Sequence, residues 1–235
     1  MHQRFFALPT LAGLVMLCAS LTGPAASALA EGAITYTADG GEMGQLEMTE
    51  RWRGGALRTD IAGVEAYMLM RDGETYSITS AGGQIMVFAL SGLAEVAEGQ
   101  AAGPSDPRED AMVIPEEILD ITPTGDTREV AGVSGEIHEV AWLDEDGVRH
   151  TDTAVLSDDP RLLENQDLKI EMSNLVSGQE PNPLSQALQD LGLAALSFGD
   201  RYEVLSIDDS PGPEGDFELP AEPMDLGDMT GGMSQ

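Results

Sequence analysis

The chain contains one cysteine, Cys18, and one lysine, Lys169, in 235 residues. Cys18 lies inside an apolar run near the N-terminus. Once that run is removed, neither a disulfide framework nor thiolate chemistry is open to the rest. Basic residues are scarce as well, 11 against 42 acids, giving a formal net charge of −31. Such a surface repels nucleic acid and anionic membranes and tolerates cationic protein partners. Beyond residue 30 the only histidines are His138 and His150. The register expected for their hairpin points them to opposite faces, so no shared metal site is expected. Gly132-Val133-Ser134-Gly135 lacks the last glycine of a nucleophile elbow and precedes a strand. Asp144-Glu145-Asp146-Gly147 starts like a calcium loop but lacks the later ligands. The glycines sit between strands, not ahead of a phosphate-cradling helix. Carboxylate pairs are everywhere in a chain with 42 acids, and so identify no glycosidase. These absences predict no catalytic residue, no metal and no cofactor, and the chain reads as a non-enzyme.

What is present begins with an address. Arg4, an apolar run from about Phe5 to Leu21, Gly23-Pro24 and the small-residue ending Ala28-Leu29-Ala30 predict a signal peptide over 1–30, cleaved after Ala30. Met16-Leu17 ahead of Cys18 is unlike a lipoprotein processing site, which wants a small residue there. The expected destination is the periplasm, with the extracellular medium second, and no membrane anchor after cleavage. Removing Arg4 with the leader moves the formal charge to −32 over 205 residues. That length suits one domain over 31–220, expected to be a monomer, followed by a disordered tail over 221–235.

From Gly44 to Leu90 the residues predict an antiparallel meander. Gly54-Gly55, Asp72-Gly73 and Gly82-Gly83 are two-residue hairpin turns, and each fixes a register. Trp52 then opposes Leu57, Met48 opposes Ile61, Leu69 opposes Tyr76, Tyr67 opposes Ile78, and Ile78 opposes Val87. Tyr67, Leu69, Tyr76, Ile78, Ile85 and Val87 fall on one face, and Met68, Met70, Met86, Phe88 and Leu90 on the other. Both faces are apolar, so both are expected to be covered. Residues 91–113 change to Ala, Gly, Glu and Pro and predict a long exposed loop. Ile114 to Leu119 predict one helical turn, with Pro115 at its start. A second hairpin over Gly135 to Leu156 is expected to turn at Asp146-Gly147. It would pair Trp142 with Thr151 and His138 with Val155, placing His138, Val140 and Trp142 inward. Asp159-Pro160 and Asn182-Pro183 are helix starts within an insertion over 159–198. One or two short helical pieces are expected over Arg161 to Leu175. The spacing of Leu184, Leu188, Leu191 and Leu196 gives the second helix a wide apolar stripe that ends at Gly199. Tyr202 to Ile207 and Phe217 to Pro220 predict closing strands. The class is α+β, mainly antiparallel β: a half-open barrel or strongly curved sheet with a helical lid.

The order of elements, with Glu129-Val130-Ala131-Gly132-Val133-Ser134-Gly135-Glu136-Ile137-His138-Glu139-Val140 and the closing Phe217-Glu218-Leu219-Pro220, resembles the periplasmic lipoprotein-carrier superfamily and its unknown-function branch. Val133 stands where that branch often has an aromatic, and no cysteine follows. The resemblance implies a half-open antiparallel barrel with helices over an apolar cavity, and hence a carrier or binder of an apolar, lipid or acyl ligand. The expected contacts are Met68, Met70, Met86, Phe88, Leu90, Trp142, Leu184, Leu188, Leu191 and Leu196. Two other readings stay open. One is an envelope interaction or scaffold module working through the acidic loop and tail. The other is Cu(I) binding by thioethers of Met68, Met70, Met86, Met224, Met229 and Met233.

Overall fold

A computed structural model describes residues 31–41, 44–90, 115–177 and 181–225. The leader with Cys18, the loop over 91–113 and the tail from 226, with Met229 and Met233, lie outside the described residues. Six strands come first: β1 (Gly32–Asp39), β2 (Gln45–Arg53), β3 (Ala56–Ile61), β4 (Ala66–Arg71), β5 (Glu74–Ala81) and β6 (Gln84–Ala89). Then follow β7 (Glu117–Val130), β8 (Val133–Leu143) and β9 (Arg149–Ser157), helices α1 (Pro160–Ser177) and α2 (Pro183–Leu191), and β10 (Ala194–Phe198) and β11 (Tyr202–Asp208). A two-residue strand, β12 (Met224–Asp225), ends the described chain.

All twelve strands form one open, curved sheet in the order β12-β6-β5-β4-β3-β2-β1-β11-β10-β9-β8-β7. Only the β12–β6 pair is parallel. Two meanders therefore meet at β1, where β11 returns to pair with the start of the domain. The first meander has the register set by its turns: Trp52 opposite Leu57, Leu69 opposite Tyr76, Ile78 opposite Val87. Asp72 and Gly73 both have positive φ, 53° and 78°, the mirror-image turn that matches the twist of the flanking strands.

Each face of this meander is covered differently. The row Ile34-Glu50-Thr59-Met68-Ser77-Phe88, read across β1 to β6, and its neighbour Trp52-Leu57-Met70-Thr75 face the helices. Trp52, Leu57 and Met70 are buried there with Leu168 and Met172 of α1. On the opposite face, Leu69, Tyr76, Ile78 and Val87 are closed by Phe217, which ends a 3-10 turn over Glu214–Phe217. Arginines pin that segment down. Arg51 binds Asp216 at 2.6 Å, and Arg58, Arg53 and Arg71 donate to the carbonyls of Asp216, Gly212 and Phe217.

Several sequence expectations are corrected. Glu117 to Leu119 are not helical but open β7, because Glu117 and Ile118 pair with Leu143 and Trp142. The β8–β9 register is shifted by one from the expected one: Trp142 opposes His150, and His138 opposes Ala154. The connection is the five residues Asp144 to Val148, not a two-residue turn. The Asp144 carboxylate accepts from the Asp146 and Val148 amides and builds the longer loop. His138 and His150 consequently share one face.

The stretch 161–175 forms one continuous helix, α1, not short pieces. Asp159 and Asn182 do cap the two helices, accepting from Arg161 N–H and Leu184 N–H. Gly192, at φ 66°, ends α2 in a left-handed cap, so Leu196 and Phe198 belong to β10 and not to the helix. Gly199 instead turns β10 into β11. Phe217 to Leu219 form no strand; the last strand is β12, beside Phe88 and Ala89.

Candidate functional site

Helix α1 lies across the sheet. Gln166 donates to the Leu193 carbonyl just before β10, Lys169 reaches Glu50 on β2, and the helix also touches β3 and β5. Helix α2 stands over β7 and β10. Between the two helices and the β10–β11 hairpin is a cleft of about 380 Å³, within the ~300–1,000 Å³ range of small-molecule sites. Its apolar wall is Leu162 and Ile170 of α1, Leu184 and Leu188 of α2, and Ala194, Ala195 and Phe198 of β10. Asn165, Gln166, Lys169 and Ser173 of α1, Asn182 and Ser185 at the start of α2 and Tyr202 of β11 supply its polar groups. The α1 residues recur at helical spacing, so this one stripe faces the cleft while Leu168 and Met172 face the sheet core.

At the Lys169 end stands a group of polar side chains. Glu50 is 2 % exposed. One of its oxygens accepts from the Tyr36 hydroxyl at 2.6 Å and lies 3.3 Å from the Lys169 ammonium; the other has no partner. The ammonium sits 4.6 Å from the Tyr36 ring centre and 5.8 Å from that of Tyr202, over two rings 5.0 Å apart. Burial and the adjacent Glu50 charge push both tyrosine hydroxyls far above their ordinary range, so both stay protonated donors. Asn165, one turn before Lys169, is 4 % exposed and its side-chain N–H₂ has no partner.

The residues named from the sequence distribute unevenly around this cleft. Leu184 and Leu188 line it. Trp142 is buried behind the wall in the cluster that holds Leu188 and Phe198. Its N–H bonds Asp152 and its ring stacks on His150 at 4.3 Å. Leu196 is fully buried in β10, and Leu191 is 54 % exposed. Met68 and Met70 on β4, Met86 and Phe88 on β6, and Leu90 just after β6 do not line the cleft. Met70 is packed core at 1 % exposure. The helix over that region is α1, where α2 was expected. Strand β5 separates Met68 from Met86, so these two thioethers do not sit on neighbouring strands. Among the described residues, no three His, Cys, Asp or Glu side chains cluster as metal ligands would. No described helix is long and apolar enough to cross a membrane.

Sequence reasoning missed Glu50, Lys169, Asn165 and Tyr202. A signal existed for the first: Glu50 sits between Met48 and Trp52 with the alternation of an inward-facing position. Lys169 was visible as the sole lysine, but nothing local says that it crosses over β2. Compared with known proteins, the chain matches no family model, no curated protein and no solved structure.

Proposed function

We propose that the protein is exported, loses its leader near Ala30, and works in the periplasm as a carrier-like binder of a small apolar or acyl ligand, without catalysing a reaction. The observation that supports this reading is the cleft between α1 and α2. It has apolar walls on three elements, with polar side chains from α1, the start of α2 and β11 among them. A curved antiparallel sheet with helices across it is also the architecture that the carrier resemblance implies.

Native mass spectrometry of protein purified from its own host, with lipid extraction, tests the proposal. Copurified acyl or apolar molecules support it. A ligand-free protein that also fails to bind added amphiphiles sinks it and favours the interaction-module reading. The mass of the mature N-terminus tests export, and an intact Met1 or an acylated Cys18 would refute it.

A further inference from the structure

We infer that the polar end of the cleft selects an anionic head, so that the ligand is a single-chain amphiphile carrying a carboxylate. This rests on the proposed binding role and deepens it. Two groups at that end are donors with capacity left over. Asn165 is 4 % exposed and its N–H₂ has no protein partner, although a buried donor without one is costly. Lys169 has three N–H donors, and among the described residues its ion-pair partner is a single Glu50 oxygen, 3.3 Å away. The two residues are four apart on α1 and so share a face, and both line the cleft. Donors without a facing acceptor call for a ligand acceptor, and an ionised oxygen makes the stronger bond.

Charge decides between classes of head. A cationic head would meet the Lys169 ammonium, which already occupies the Tyr36 and Tyr202 faces and pairs with Glu50. The acidic surface disfavours approach of an anion, with −31 overall. However, charges beyond about 8 Å are largely screened at physiological ionic strength, and the cleft lining itself contains Lys169 and no carboxylate. Within the lining, the Lys169 ammonium is the charged group that an entering head meets.

The test is calorimetric titration of the delipidated mature chain with decanoate, methyl decanoate and decyltrimethylammonium. These share a chain and differ in the head. Decanoate should bind at least about tenfold more tightly than its methyl ester, a modest return for one charge-assisted hydrogen bond. Glu50→Gln/Lys169→Met, which removes both charges together, should bring that ratio close to one. Asn165→Leu should lower it partway. Equal affinity for acid and ester in the unmodified protein overturns the inference but not the binding role. So does a preference that survives in the double variant, or tightest binding of the ammonium compound. Failure of all three probes removes both.

Discussion

Replacing Lys169 by methionine should destabilise the protein more than replacing Glu50 by glutamine, although both break the same ion pair. The asymmetry follows from where each charge goes when its partner is lost. The Lys169 side chain is 36 % exposed, whereas that of Glu50 is 3 % exposed. With glutamine at position 50, the ammonium turns to water and the Tyr36 hydroxyl keeps an acceptor, so the cost should stay within about 1 kcal/mol. With methionine at position 169, the carboxylate keeps only the Tyr36 hydrogen bond and has no route to solvent. Removing one partner of a buried pair costs about 3–5 kcal/mol, and the half-open position of Lys169 argues for the low end, about 3 kcal/mol. The methionine still packs on the Tyr36 ring, so little of the loss comes from contact area. The double variant should recover to within about 1 kcal/mol of the parent, because no charge is then stranded. Urea unfolding at pH 7, followed by circular dichroism and tryptophan fluorescence, reads all three midpoints. Equal losses in the two single variants, or no recovery in the double variant, would refute the reasoning.

Acid stability gives a second prediction. Burial pushes the Asp60 carboxyl up, but hydrogen bonds from Arg58 and Arg51 outweigh this and hold it below its ordinary value. A carboxyl depressed in the folded state stabilises above its unfolded pKa of about 3.9, and that contribution is lost as pH falls through the lower folded value. Stability should therefore fall below about pH 4, and Asp60→Asn should flatten that limb; an unchanged limb would show that Asp60 is not a source of it. The C-terminal strap gives a third. Phe217→Ala removes the aromatic that closes the Leu69–Val87 face and should cost about 3 kcal/mol. Asp216→Ala loses ion pairs whose arginines still hold Asp60, so it should cost about 1 kcal/mol or less. Hydrogen exchange of β4 to β6 would report the difference, with the opposite ranking counting against the strap as an apolar seal.

The residues alone determined the first meander, because a two-residue turn such as Asp72-Gly73 fixes every pair behind it and the alternation of apolar side chains admits no slip. They also determined both helix starts, since Asp159-Pro160 and Asn182-Pro183 act through bonds only two residues long. Where the deciding contact was less local, the sequence misled. Asp144 lengthened the β8–β9 loop by capping two amides and shifted the expected register by one. Gly192, not Gly199, ended α2, and the pairing of β10 with β9 and β11 placed Leu196 in a strand. The cleft was least legible of all. Its walls come from α1, α2, β10 and β11, and its polar end brings Tyr36 and Glu50 to Lys169 across more than a hundred residues of chain. A pattern read along the chain reports which face a residue takes. Which helix crosses that face is set by how the sheet curves and how the buried side chains fill the trough, and only the tertiary structure decided that.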